Sequence, residues 1–206
     1  MKIYDYEGFP NPARVRIALA EKGLTDQVEF ISVDVPNGEH KSDAFKAKNP
    51  SGLVPALELD DGTIISECTA ITEYIDGISD APSLTGKTPK ERATIHMMQR
   101  RAEGDLLDAV AAYFHHATPG LGPKIETNQC SEWGNMQKNR ALSGMAYFDE
   151  LLSDQDYLAG DQFTMADITA FAGLAFADFA QIEIPHEYAN LKAWRALVAV
   201  RPSIAA

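Results

Sequence analysis

Apolar and polar positions change period several times along the chain. The stretch "KIYDY" (2–6) alternates as a short strand. Residues 12–22 carry Val15, Ala18 and Leu19 at helical spacing until Gly23 stops them, and "VEFISVDV" (28–35) returns to alternation. Strand, helix and strand make a βαβ unit. A polar stretch, "PNGEHKSDAFKAKNPSG", follows, with a short helix expected over 43–48. "VPALEL" and "TII" flank the turn "DDG" at 60–62 and predict a hairpin, after which "ECTAITEYID" opens a second helix. The segment "GISDAPSLTGKTPK" (77–90) is rich in turn-forming residues. Beyond it the pattern is helical almost to the end. Ile95, Met98, Ala102, Leu106, Leu107 and Val110 predict one long helix over 91–115, which "ATPGLGPK" breaks, and another helical stretch runs over 131–152. In "FTMADITAFAGLAF" Thr164 can cap its helix, Asp167 can reply three residues later, and Phe163 can pack on Ile168.

The order β-α-β followed by ββα within residues 1–78 is the thioredoxin-like arrangement, a small mixed sheet flanked by helices. The fold class expected is therefore α/β plus all-α: a thioredoxin-like domain over 1–78, a linker over 79–90 and an all-helical bundle domain over 91–206. Pro55 stands at the start of a strand, where its missing N–H would spoil a central ladder unless the chain bends. A cis Val54–Pro55 bond is one way to make that bend.

Composition narrows the function. A chain of 206 residues that is 45% hydrophobic can fill its cores without staples. A formal charge of −12 argues against a nucleic-acid partner, which needs clustered Lys and Arg. Two cysteines, Cys68 and Cys130, build no disulfide framework and have no metal-ligand spacing, so no metal is expected and a reducing, cytoplasmic setting fits. No apolar run approaches the roughly 18 residues that span a bilayer, and "MKIYDYEG" is no secretory signal, so no membrane partner is expected.

The entrance of the first helix poses the chemical question. A helix N-terminus suits an anion or a thiolate, because it presents unpaired N–H groups and a partial positive charge. Proteins that use such an entrance for sulfur chemistry commonly place Cys, Ser or Tyr there. This one reads Phe9, Pro10, Asn11, Pro12, Ala13.

Taken together, "PARVRIALAEKGL", "NPSGLVPALELDDGT", "SECTAITEYID" and "YLAGDQFTMADI", in this order and spacing, resemble the cytosolic glutathione transferases over nearly the whole chain. "LTGKTP", "IHMMQRRAE" and "YFHHATPGLG" resemble an atypical fungal and bacterial subgroup that lacks a catalytic Tyr, Ser or Cys. The resemblance implies an enzyme that conjugates the glutathione thiolate to small hydrophobic electrophiles, with glutathione as co-substrate and no other cofactor, acting as a homodimer. It also implies site residues. The backbone of Val54 beside Pro55 would pair with the cysteinyl segment, as an edge strand pairs with an added peptide. Glu67 would take the ammonium and the Cys68 N–H the γ-glutamyl carboxylate, with Cys in place of the usual Ser. His40 and Lys41 match positions that reach the glycyl carboxylate, or simply form a solvated loop face. Glu103 and Asp105 would reach the partner subunit's ligand, or form the wet side of a helix.

For the thiol itself the resemblance leaves three contributors. The Ala13 and Arg14 amides would supply the helix entrance, Asn11 a side-chain N–H, and His115 a water that accepts the thiol proton. In the subgroup a Ser one turn before that histidine shares the water; here the position is Ala111. Tyr6 is a weaker candidate, better suited to the core or the loop. A second, apolar pocket between the domains would be lined by Phe9, Tyr113, His116 and Leu121 and admit flat or chlorinated electrophiles. The alternatives are a glutathione-dependent isomerase or reductase and a non-enzymatic carrier. The reductase is weakened because the Cys nearest the helix entrance in sequence is Cys68.

Overall fold

Four short strands, β1 (Lys2–Asp5), β2 (Glu29–Ser32), β3 (Ala56–Glu58) and β4 (Ile64–Ser66), form one sheet in the order β2-β1-β3-β4. This is seen in a computed structural model that describes residues 1–205. β2 runs parallel to β1, while β3 is antiparallel to β1 and to β4. The parallel pair needs a crossover, which α1 (Pro10–Glu21) supplies, and the antiparallel pair needs only the turn at Asp60–Gly62. Ser42 accepts the Phe45 N–H and so caps α2 (Asp43–Lys46). α3 (Cys68–Gly77) follows β4 directly.

Register decides which side chains face the helices. Ile3 stands opposite Leu57, and both join Val15 and Leu19 of α1, Leu24, and Cys68, Ile71 and Ile75 of α3 in one buried cluster. Each large aliphatic side chain buried there contributes about 1.5–3 kcal/mol.

Within the segment 79–90, expected as a linker, the first half is fastened to the first unit. Lys22, at the end of α1, donates from a buried ammonium to Asp76 Oδ1 (2.8 Å) and to the carbonyls of Ala81 (2.9 Å) and Pro82 (3.1 Å). Asp76 in turn accepts from Ser83 Oγ and the Leu84 N–H, both at 2.8 Å. Residues 79–84 are thus fastened to the sheet domain, and the chain divides into units at Leu84 and Thr85.

In the second unit the predicted long helix begins earlier and is not uniform. Thr88 and Glu91 form a reciprocal capping box at the start of α4 (Pro89–Arg101). Residues Ala102–Leu107 then widen into a π-helical turn before α5 (Asp108–Ala117) resumes the α-helical pattern. Two glycines let the neighbouring helices close on this wide segment. They lie in α6 (Ser131–Leu151) and α7 (Met165–Phe179). A Cβ at Gly144 would lie 2.5 Å from the Asp105 carbonyl oxygen, and one at Gly173 would lie 2.9 Å from Leu106 Cγ. α8 (Ala189–Ala199) and the short α9 (Pro202–Ala205) complete the unit. Among the described residues no helix is long and apolar enough to cross a membrane.

The predicted cap of α7 is present and does more than end a helix. Asp167, fully buried, accepts from the Thr164 N–H (2.9 Å) and hydroxyl (3.0 Å), the Leu158 N–H (2.9 Å) and Trp194 Nε1 (3.1 Å). One carboxylate therefore joins the preceding loop, the α7 start and α8. Burial pushes its pKa up to about 6 even though these donors pull the other way.

Two stability predictions follow from these contacts. Gly144→Ala drives a methyl into a main-chain carbonyl, and chemical denaturation should show a loss of about 1–3 kcal/mol. Asp167→Asn offers those donors one acceptor oxygen in place of two, and should lose about 1–3 kcal/mol at pH 7. Because Asp167 titrates higher when folded, its protonated form supports the native state below about pH 4, and that support is lost as pH rises through about 6. The asparagine variant lacks this slope, so its deficit should shrink between pH 4 and 7. A deficit that widened would contradict the assignment.

Candidate functional site

Chain direction brings several loop ends of the first unit to one end of its sheet. β1 and β2 finish there, β3 starts there and β4 finishes there, as the pairings Asp5 with Ser32, Tyr4 with Ala56 and Ala56 with Ser66 require. The α1 entrance, the Val54–Pro55 dipeptide and the α3 entrance consequently converge although they are far apart in sequence.

At α1, Phe9 is the N-cap in extended conformation and Pro10 the first helical residue. Pro10 and Pro12 have no N–H. The Ala13 N–H donates to the Phe9 carbonyl at 3.0 Å, and regular helical pairing assigns the Arg14 N–H to Pro10. The expectation that the Ala13 and Arg14 amides face a ligand is therefore corrected: the helix itself uses them. The N–H of the first turn that has no partner among the described residues is Asn11's. The Asn11 side chain is also constrained. Its Oδ1 accepts from Arg14 Nη1 at 2.9 Å, which leaves the Nδ2 amide as a donor. Arg14 is buried, so a guanidinium charge sits behind this entrance, a contribution missed by attending only to its amide.

The Val54–Pro55 peptide is cis. Val54 lies just outside β3, half-buried, with neither its N–H nor its carbonyl paired among the described residues. The loop before it is clamped. Asn49 Nδ2 holds the Leu53 carbonyl and Lys41 Nζ the Gly52 carbonyl, both at 2.8 Å, and Gly52 takes φ +58° with no room for a Cβ beneath the His40 carbonyl. Lys41 thus supports this loop from the side-chain end. His40 is buried rather than on a solvated face, and its Nδ1 has no hydrogen-bond partner. Burial, and secondarily the Lys41 charge, hold its pKa below the ordinary histidine value.

Glu67 is the N-cap of α3, exposed, with φ 71° and ψ 122°. A non-glycine residue in that conformation stores about 1–3 kcal/mol of strain, a frequent mark of a functional position. The next residue, Cys68, is buried, and its thiol donates to the Asn11 carbonyl at 3.4 Å. Where a serine hydroxyl was the expected counterpart, the thiol faces inward and joins the two helix entrances. Its backbone N–H stays at the α3 mouth.

The remaining candidates sit as follows. Phe9 packs edge-on against Tyr6, 4.7 Å between centroids. Glu103 Oε2 accepts from Arg100 (3.1 Å) and Asp105 Oδ1 from Arg140 (2.9 Å). Tyr113 has the Lys138 ammonium 5.0 Å above its ring. His116 Nδ1 accepts the Cys130 N–H at the start of α6 (3.1 Å), which gives it a structural duty. His115 Nδ1 lies 2.7 Å from Glu126 Oε1, which also takes the Leu121 N–H at 2.8 Å. Ala111 and Leu121 are half-buried. Glu126 was not anticipated. It lies past the "ATPGLGPK" break, and no local pattern connects it with His115.

Residues 10–78 match the model for the glutathione S-transferase N-terminal domain, and residues 105–202 match that for the C-terminal domain. Glutathione S-transferase 2 of Saccharomyces cerevisiae is 56% identical over 99% of this chain and 88% of its own length. A glutathione S-transferase domain-containing protein of Marinobacter aquaeolei, of known crystal structure, is 65% identical with a TM-score of 0.98, covering 99% of this chain and all of its own. A maleylacetoacetate isomerase of Pseudomonas aeruginosa is 31% identical over 82% of this chain and 77% of its own.

The strain at Glu67 can be measured separately from its charge. Glu67→Gly and Glu67→Ala both delete the carboxylate, but glycine accepts the positive φ. Urea unfolding should find the glycine variant more stable than the alanine variant by about 1 kcal/mol. Equal stability would mean that the backbone there is not strained.

Proposed function

The chain belongs to the glutathione S-transferase family, and on that premise we propose that it binds glutathione at the sheet end just described and joins its sulfur to small hydrophobic electrophiles. The observation that carries the reading is the convergence there of main-chain and side-chain groups that match the parts of glutathione. The unpaired main chain of Val54 suits a peptide added in extended form. The exposed Glu67 carboxylate suits an ammonium, and the α3 mouth suits a carboxylate. The open Asn11 N–H and its Nδ2 suit a thiolate.

Activation has a definite size. A free thiol titrates near about 8.5, and ionisation at neutral pH needs a fall of about two units, or about 2.7 kcal/mol. A helix N-terminus supplies about 0.3–2 kcal/mol. A hydrogen bond to a charged group adds about 1.5–3 kcal/mol, so one or two donors from Asn11, with Arg14 behind them, close the difference. In this reading His115 Nε2 accepts the thiol proton through a water, without the serine that Ala111 replaces. The S–H electron pair stays on sulfur. The thiolate then forms the C–S bond as the leaving group departs with its electrons, or adds to an activated double bond whose carbanion is protonated by solvent. Assembly as a homodimer, with Glu103 facing the partner's ligand, belongs to the same proposal.

A glutathione-dependent isomerase is the second reading, favoured by the isomerase among the relatives. It needs the same thiolate but regenerates free glutathione, so product analysis separates the two. A disulfide reductase is disfavoured, since the Cys68 thiol is buried against the Asn11 carbonyl.

The thiolate absorbance of bound glutathione, titrated against pH, tests the reading. The midpoint should lie at or below about pH 7, and Asn11→Ala should raise it by about one unit, equivalent to about 1.4 kcal/mol. Binding with a midpoint near the free value in the unaltered protein would defeat the proposed activation.

A further inference from the structure

Adjacent histidines at the end of α5 are held in opposite ways. An ionised carboxylate only accepts, so for a neutral imidazole the 2.7 Å contact with Glu126 favours the His115 proton on Nδ1 and the lone pair on Nε2. His116 accepts a backbone N–H at Nδ1, so its proton is on Nε2. The surroundings of the first pair are built to keep it. The Glu126 side chain is 9% exposed against 38% for His115. Its Oε1 is also held by the Leu121 N–H at 2.8 Å. Gly120, at φ +54°, gives the carboxylate its room, since a Cβ there would fall 2.3 Å from Glu126 Oε1. Gln129 Nε2 ties the carbonyls of His115 (2.8 Å) and Thr118 (2.7 Å), and the Thr118 hydroxyl donates to the Phe114 carbonyl at 2.6 Å. The loop therefore folds back on the helix end at both backbone and side chain.

We propose that Glu126 is a positioning residue for the transferase reaction: it fixes the Nδ1–H tautomer of His115 so that Nε2 is the proton acceptor. The inference rests on the reading that His115 takes the thiol proton, and adds the group that makes its ring competent. When the thiol gives up its proton, the electron pair stays on sulfur, the proton joins Nε2, and the resulting imidazolium faces a carboxylate already in contact. A carboxylate behind an imidazole serves this purpose in catalytic triads, by orientation and without being protonated itself.

Nitrogen-15 spectra of the whole protein without glutathione read the tautomers directly. His115 should show Nδ1–H and His116 Nε2–H. Glu126→Ala should move His115 to Nε2–H and leave His116 unchanged. With the same variant, kcat should fall about 10- to 100-fold, below the 10²–10⁴ that a complete general base supplies. Affinity for S-methylglutathione, which has no thiol to ionise, should stay within about twofold. Glu126→Gln keeps an acceptor oxygen for Nδ1–H and should recover most of both the tautomer and the rate; it also covers the case in which the alanine variant fails to fold. Wild-type His115 found as Nε2–H, or a kcat untouched while the tautomer changes, overturns the proposal. His115→Ala separates the two layers. Unchanged turnover in that variant would mean that the proton-acceptor reading has failed, and the spectra alone would then decide whether Glu126 sets the ring.

Discussion

A helix entrance offers a ligand only the N–H groups that its own sequence leaves unpaired, and in α1 two prolines reduce that supply to one residue. Pro10 and Pro12 have nothing to donate, and the Ala13 N–H closes on Phe9. Asn11 is the meeting point of the two helix entrances. Its carbonyl is met by the Cys68 thiol, its Oδ1 by Arg14, and its N–H and Nδ2 remain. The usual attraction of a helix terminus for an anion is thereby narrowed from a diffuse field to a pair of directed donors, with a buried guanidinium behind them. An entrance without Cys, Ser or Tyr is not an entrance without chemistry.

Buried or nearly buried carboxylates hold the rest of the molecule in shape. Asp76, with the Lys22 ammonium, fastens the chain leaving α3. Asp167 gathers a loop, a helix start and an indole. Glu126 gathers a backbone N–H and an imidazole. In each case an acid that would be costly to bury alone is surrounded by donors from several segments, so that removing it strands several polar groups at once. Such acids tie together parts that are short in apolar contact. Residues 79–83, with Pro82 among polar neighbours, and the loop 118–130, rich in Gly, Pro and polar residues, are such parts.

The element types along the chain were legible because each carries its own period or cap. Val15, Ala18 and Leu19 marked α1, the turn at 60–62 marked the hairpin, and Thr164 with Asp167 marked the start of α7. Features made by long-range pairing were not. The π turn over Ala102–Leu107 is met by Gly144 at the Asp105 carbonyl, and nothing within the turn announces that approach. The fastening of 79–84 depends on Lys22, which reads locally as an ordinary charged helix end. At the site the same division holds. Val54, Pro55 and Glu67 could be placed from motifs, but the accounting of N–H groups at α1 required the helix start to the residue. The Glu126 contact required a fold-back across a Pro/Gly break.

In the proposed reaction, recognition and activation draw on different kinds of group. The peptide-binding features at the sheet end are mostly main chain: Val54, the α3 mouth, the clamped loop before Pro55. Main-chain groups survive substitution as long as the fold does, so the backbone N–H at position 68 does not depend on which side chain stands there. The proposed activation would rest on a few side chains with single geometries, Asn11 held by Arg14 and His115 held by Glu126. Each of these pairs has a partner that touches no substrate in the proposed reaction, so its loss would alter orientation before it altered binding. With alanine at position 111, the proposed proton acceptor at His115 would depend on the orientation that Glu126 gives its ring.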